Sequence, residues 1–271
     1  MHVPVLKKQV LEYLDPKLNE NFVDCTINGG GHAAAILEKG GNVLGIEWDK
    51  DIYNNLKLDK AILVNDSYVN LEKIVEENNF GPIHGILFDL GVSSYQLDES
   101  ERGFTFRKDQ PLDMRYSTDN DLTAEEIVNT WSEKEIVEIL EKYGEERNAK
   151  RIAKNIIKNR PIKTTFKLIE IIGGNRGKIN PATRTFQALR IAVNKELDSL
   201  ERALPQAERL LAHGGRLVVI SFHSLEDRIV KNFLKSSNLN ILTKKPIMGT
   251  SLEIKENPRA RSAKLRVGIK I

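Results

Sequence analysis

Four acids stand at or just beyond the ends of four short apolar runs: Asp24 in NFVDCT, Glu47 in NVLGIEW, Asp66 in AILVND and Asp89 in HGILFDL. Between the first two lies Gly29-Gly30-Gly31, followed by His32. Carboxylates accept hydrogen bonds from hydroxyl and amino groups, and glycines let a ligand approach the backbone closely. The set suits a phosphate, a dinucleotide or a nucleoside-bearing cofactor. A Walker loop is excluded, because no Gly-Lys-Ser/Thr follows to grip phosphates and a metal. The dinucleotide fingerprint is poorly matched, since GGGHAA lacks the third glycine that packs helix against strand. Glu47 is placed to accept the two hydroxyls of a ribose, a device that dinucleotide and S-adenosylmethionine sites share. Tyr68 is placed to stack on an adenine beside Asp66, and Asp89 lies near the reactive end of a cofactor. A nicotinamide enzyme would bring a second nucleotide phosphate, for which no groups are evident.

The elements that must position these residues are legible. Each apolar run is too short for a typical helix, and the segments between, such as AAAILEKG and SYVNLEKIVEENN, have helical spacing. That alternation predicts βαβ units and a parallel sheet, with ligands outside the carboxyl ends of the strands. From Thr105 to Asn194 strand candidates vanish and helix starts appear. Thr123–Glu126, Ser132–Glu135 and Ser224–Asp227 fit capping boxes, and Asn180-Pro181 places a cap before a first-turn proline. Strand character returns in GGRLVVISF after Gly214-Gly215 and in KLRVGIKI. The expected organisation is a first sheet part at 1–104, a helical insertion at 105–194 and a second sheet part at 195–271.

Bulk composition narrows the setting. The chain has 271 residues, enough for a large core, and its single cysteine, Cys25, can form no intramolecular disulfide. MHVPVLKKQVLEYL breaks its apolar positions with Lys7, Lys8, Gln9 and Glu12, which excludes a signal-peptide core. No later run approaches the length needed to span a bilayer, so the expectation is a cytoplasmic protein without membrane contact. The net charge of +3 is uninformative, but Lys142 to Arg190 holds 13 Lys/Arg against Glu145, Glu146 and Glu170. Such a local positive field suits a polyanion, although a solvated helix face looks the same in sequence.

Longer stretches narrow the choice. GILFDLGVSSYQLDESERGFTFRKDQPLDMR (85–115), INPATRTFQALRIAVNKELDSLERAL (179–204), GGRLVVISFHSLEDRIVKNFL (214–234) and NPRARSAKLR (257–266) closely resemble the MraW/RsmH family. The resemblance extends from HVPVL to the last strand. It implies an α/β, Rossmann-like, S-adenosylmethionine-dependent methyltransferase sheet with an inserted helical substrate-recognition subdomain. It also implies methylation of the exocyclic N4 of a cytidine in the decoding region of 16S rRNA, within the small ribosomal subunit. The implied cofactor residues are Gly30, Gly31, His32, Glu47, Tyr68, Asp89 and Gln96, with Gln96 coming from the resemblance alone. No metal is implied, and the oligomeric state, a dimer included, stays open.

The chain also departs from the family pattern. Where members read Asp-Gly-Thr and a further glycine, it has Asp24-Cys25-Thr26 and then Asn28. Asparagine tolerates the left-handed conformation best among non-glycine residues, so the turn is expected to survive. Glu47 stands for the usual Asp, Tyr68 where Phe is also found, and Tyr95 where many members have Pro. Cys25 reads as a small buried filler.

A cytosine amine is a poor nucleophile, and Asp89 is the candidate to position it with the cofactor without acting as a strong base. Arg107, Arg115, Arg184 and Arg190 are candidates for rRNA phosphates. His223 is a candidate for the target base or ribose, with loop-holding as its commoner use. A DNA amino-methyltransferase would show an Asp/Asn/Ser-Pro-Pro-aromatic motif where this chain reads Asp-Leu-Gly-Val. An RNA-binding assembly protein with a vestigial pocket is the reading from a different class.

Overall fold

The computed structural model describes residues 4–173 and 181–271. Seven strands form one sheet: β1 (Asn21–Asp24), β2 (Asn42–Ile46), β3 (Ala61–Val64), β4 (Ile83–Asp89), β5 (Leu211–Ser221), β6 (Leu239–Ile241) and β7 (Lys264–Lys270). Their order is β3-β2-β1-β4-β5-β7-β6. The first five run parallel, and β7 is antiparallel to both β5 and β6. The chain therefore winds outward in one direction from β1 through β2 to β3, and in the other from β4 to β5. The crevice between β1 and β4 is the switch point at which such sheets bind ligands.

Strand residues alternate between two cores. Val23, Leu44, Ile86, Phe88, Leu217 and Val219 belong to one cluster, with Leu71, Ile74, Leu200, Leu204, Val230 and Leu234 from helices. Phe22, Val43, Leu87, Val218 and Ile220 belong to the other, with Val10, Leu14, Ala33 and Ile36. Because both faces are covered, these strands read in sequence as continuous apolar runs.

β5 begins at Leu211, ahead of the glycine pair that was expected to precede it. Its register against β4 jumps from Ile83↔Leu211 to Gly85↔Arg216, so Gly214-Gly215 forms a bulge inside the strand. The three-residue strand β6 has no clear sequence signal.

The chain divides into two compact units, one of residues 1–91 and 197–271 and the other of residues 92–196. The helical unit thus starts at Val92, ahead of the expected 105, because Val92, Leu97 and Phe104 pack with its core. That core gathers Ile127, Val128, Ile136, Leu140, Ile152, Ile156, Leu168, Leu189 and Val193. Ser132 and Glu135 close a full capping box, whereas Thr123 supplies only the forward bond, from the Glu126 N–H at 3.1 Å. The Asn180 cap lies outside the described residues. The long helical stretch that follows is two helices, Pro181–Asn194 and Glu196–Leu210, separated by Lys195 in the left-handed region. Asn194 stabilises the break: its side chain donates to the carbonyls of Met114 and Arg190 and accepts the Tyr116 N–H.

Candidate cofactor site

The carboxyl ends of β1 and β4 carry the buried polar groups. Asp24 ends β1 with 1% of its surface exposed, and its Oδ1 accepts the Thr26 N–H at 3.2 Å. Burial pushes its carboxyl up to about 6, against the attraction of His32 and the Thr26 amide, and the negative charge of Asp89 adds to the rise. Asp89 ends β4. Its N–H donates to Thr26 Oγ1 at 2.6 Å, and its Oδ2 lies 3.5 Å from Nε2 of the buried His32. Asp24 Oδ2, Asp89 Oδ1 and both His32 ring nitrogens are buried and have no hydrogen-bond partner among the described residues. Beyond Asp89 the chain turns at Gly91, whose φ of 97° favours glycine, after Leu90 N–H has bonded the Ile220 carbonyl.

The glycine loop lies between β1 and helix Gly31–Glu38. Asn28 takes the left-handed conformation at φ 48°, and Gly30 does so at 73°. The Asn28 side chain donates to the Thr26 carbonyl, so the expected tolerance of asparagine is realised together with a local bond that holds it. A Cβ on Gly30 would come within 2.6 Å of Leu58, whereas one on Gly29 would meet nothing within 4 Å. Glu47 follows β2 and links loop to sheet: its carboxylate accepts Asn28 N–H at 3.0 Å and Asp49 N–H at 2.8 Å. Burial pushes that carboxyl up to about 8, against those two amides. Cys25 is buried in the first core, and burial raises its thiol well above the usual range, as expected of a filler.

The remaining sequence candidates sit as follows. Tyr68 opens the short turn after β3 and packs edge-on against Phe88, ring centroids 5.5 Å apart. Asp66 holds that turn by accepting from Ser67 N–H and the Asn70 amide. Gln96 lies in the helical unit, where it closes a capping box with Ser93. His223 is the cap of helix Ser224–Ser236, with Nδ1 accepting the Glu226 N–H, so the box is His223–Glu226 and not Ser224–Asp227. Asp227 is drawn away to Arg266, bonded at 2.7 and 3.3 Å. Arg115 forks onto Asp113 and onto the carbonyls of Thr118 and Asn120. Arg190 forks onto Glu196 at 2.8 and 2.9 Å, and Arg184 lies 3.7 Å from buried Glu146. Arg107 is exposed. Sequence reasoning missed Thr26, although its place two residues after a strand-end acid is the one signal that could have found it.

Acceptor oxygens without donors, beside a glycine turn with open space at Gly29, fit a ligand rich in hydroxyl and ammonium donors. Over residues 1–271 the sequence matches the MraW methylase family. The chain belongs to that family. An MraW methylase takes its methyl group from S-adenosylmethionine, and the unpartnered oxygens of Asp24 and Asp89 fit the hydrogen-bond donors which that cofactor brings.

Similar proteins include three named Ribosomal RNA small subunit methyltransferase H. That of Thermosipho melanesiensis is 49% identical over 100% of this chain and 98% of its own length. That of Heliobacterium modesticaldum is 47% identical over 100% and 98%, and that of Dehalococcoides mccartyi 45% over 100% and 86%. Among the described residues no helix of this MraW-family chain is long and apolar enough to cross a membrane.

Proposed function

We propose that this methylase modifies the exocyclic N4 of a cytidine in the decoding region of 16S rRNA, within the small ribosomal subunit in the cytoplasm. The observation that carries this reading is the end-to-end match to relatives named for small-subunit rRNA methylation. In this reading Gly30, Gly31 and His32 hold the amino-acid end of the cofactor, Glu47 the ribose and Tyr68 the adenine. Bound S-adenosylmethionine supplies an electrophilic methyl on a positively charged sulfur.

Asp89 accepts a hydrogen bond from the cytosine amine as that nitrogen gains positive charge, which favours the transition state over the ground state. Its backbone is fixed by Thr26, and Leu90-Gly91 shape the turn beside it. The basic helical unit, residues 105–194 in the sequence reading, serves substrate recognition. Of the four candidate arginines Arg107 is the exposed one, whereas Arg115 and Arg190 must first give up carboxylates. His223 reaches substrate only at the expense of its cap. A target base in structured RNA must also be unstacked before it can react.

The deciding experiment is mass mapping of rRNA from cells lacking this protein, followed by addition of the pure protein to isolated 30S subunits. Loss and recovery of one methyl on one cytidine is the expected result. An unchanged rRNA map would end this assignment, and failure to bind labelled S-adenosylmethionine would favour an assembly protein.

A further inference from the structure

Leu6 stands at the start of helix Lys7–Leu14 with φ 54° and ψ 32°, a left-handed conformation that its side chain disfavours. No side chain of its own caps that helix end. Instead, the Leu6 N–H donates to Glu253 Oε1 at 2.6 Å, across 247 residues of sequence. Leu6 and Val5 are buried in the second core with Ile27, Ala33 and Ile36, the residues that flank the glycine loop and line the helix after it. Two residues before Leu6, the Pro4 ring walls the loop: a Cβ on Gly31 would come within 3.0 Å of Pro4 Cγ.

Glu253 is itself firmly placed. Its helix, Ser251–Glu256, is capped by Thr250, whose Oγ1 accepts the Glu253 N–H at 3.2 Å. Gly249, just before it, lies so near Ala260 that a Cβ would approach that residue's Cβ to 2.9 Å.

We propose that Glu253 is a positioning residue for the cofactor loop, acting through Leu6 and Pro4 on Gly31. The proposal rests on that loop holding S-adenosylmethionine. Its carboxylate keeps a disfavoured backbone turn in place, and the turn holds the proline wall against the glycine. Residues near the two ends of the chain thereby bear on the loop between β1 and β2 without touching the cofactor.

The test compares Glu253→Ala with Glu253→Gln, which keeps an acceptor oxygen. Amide exchange of residues 28–34 in the cofactor-free protein is read first, then S-adenosylmethionine affinity by titration, then kcat and KM on 30S subunits. Glu253→Ala is expected to quicken exchange in the loop and to raise Kd and KM for S-adenosylmethionine about tenfold, with kcat at saturation unchanged. Glu253→Gln is expected to return both constants to within about threefold of wild type. Wild-type loop exchange and affinity in the alanine variant would overturn the proposal, as would a glutamine variant no better than alanine.

If the alanine variant does not fold, Pro4→Gly leaves the Glu253 bond intact and loosens the wall alone. It should weaken binding, and an unchanged Kd would count against the proposal. If the wild-type protein itself binds no S-adenosylmethionine, the cofactor reading fails, while the exchange comparison still decides whether Glu253 holds the loop.

Discussion

The Thr26 hydroxyl accepts the Asp89 N–H at 2.6 Å and so ties the loop after β1 to the end of β4, across the switch point of the sheet. Replacing Thr26 by Val leaves that amide without its acceptor, at a cost of about 1 kcal/mol or more in stability. Thr26→Val should also slow single-turnover methylation, whereas Thr26→Ser should keep both. Urea denaturation and rapid-quench kinetics measure the pair, and a fully active Val variant would show the bond to be dispensable.

Asp89 itself gives a sharper expectation. Asp89→Ala should lower single-turnover methylation by about two orders of magnitude, in line with the loss of one well-placed acceptor in a reaction site. If the variant binds cofactor normally and methylates at a near-normal rate, Asp89 has no part in the chemistry.

Two buried acids make stability depend on pH. Asp24 moves from 3.8 to about 6 on folding and Glu47 from 4.5 to about 8, both chiefly through burial. Between the unfolded and folded values the native state holds more protons than the unfolded chain, so stability falls as pH rises. The decline runs from 3.8 to about 6 for Asp24 and from 4.5 to about 8 for Glu47. Glu47→Gln should flatten the curve above about pH 7, where Asp24 has largely finished titrating. Denaturation midpoints measured across this range, without cofactor, check it; a wild-type curve level between pH 6 and 8 would contradict it.

Two ion pairs of similar geometry should differ in worth. Asp227 and Arg266 are 15% and 8% exposed, and removing one leaves a buried charge, so Asp227→Ala should cost about 3 kcal/mol. Glu72 and Arg209 are 34% and 59% exposed, and water already solvates both. Glu72→Ala should leave the denaturation midpoint essentially unchanged. Comparable losses in the two variants would mean that burial does not set the difference.

The arginines divide in the same way. Arg107→Ala should weaken binding to 30S subunits, reduce the salt slope of affinity by about one phosphate contact and leave stability alone. Arg190→Ala strands Glu196, which is 7% exposed, and should lower stability with the salt slope unchanged. A slope unaffected by Arg107→Ala would remove it from the interface.

Strand-end acids, the glycine turn and the helical stretch were legible because they depend on local patterns. Apolar runs of strand length, glycines at a turn and capping pairs each declare themselves within a few residues. Asn28 in its left-handed conformation is such a case, since its side chain bonds its own loop. The His223 cap was misread because Ser224 and Asp227 have the same spacing one residue later. Arg266, which decides Asp227's partner, lies 39 residues away on β7. The boundary at Val92 was missed for a related reason: its packing partners are helices that follow much later in the chain.

By itself, then, the sequence determined the alternation of strand and helix, the acids at the strand ends and the family to which the chain belongs. Tertiary structure alone decided which charges are spent on one another. It paired Arg190 with Glu196, buried Asp24 and Glu47 so that both hold protons well above the usual carboxylate range, and brought Glu253 to Leu6. The physical reason is that desolvation and pairing are properties of neighbours in space, and for these groups the deciding contacts come from packing that no local pattern records.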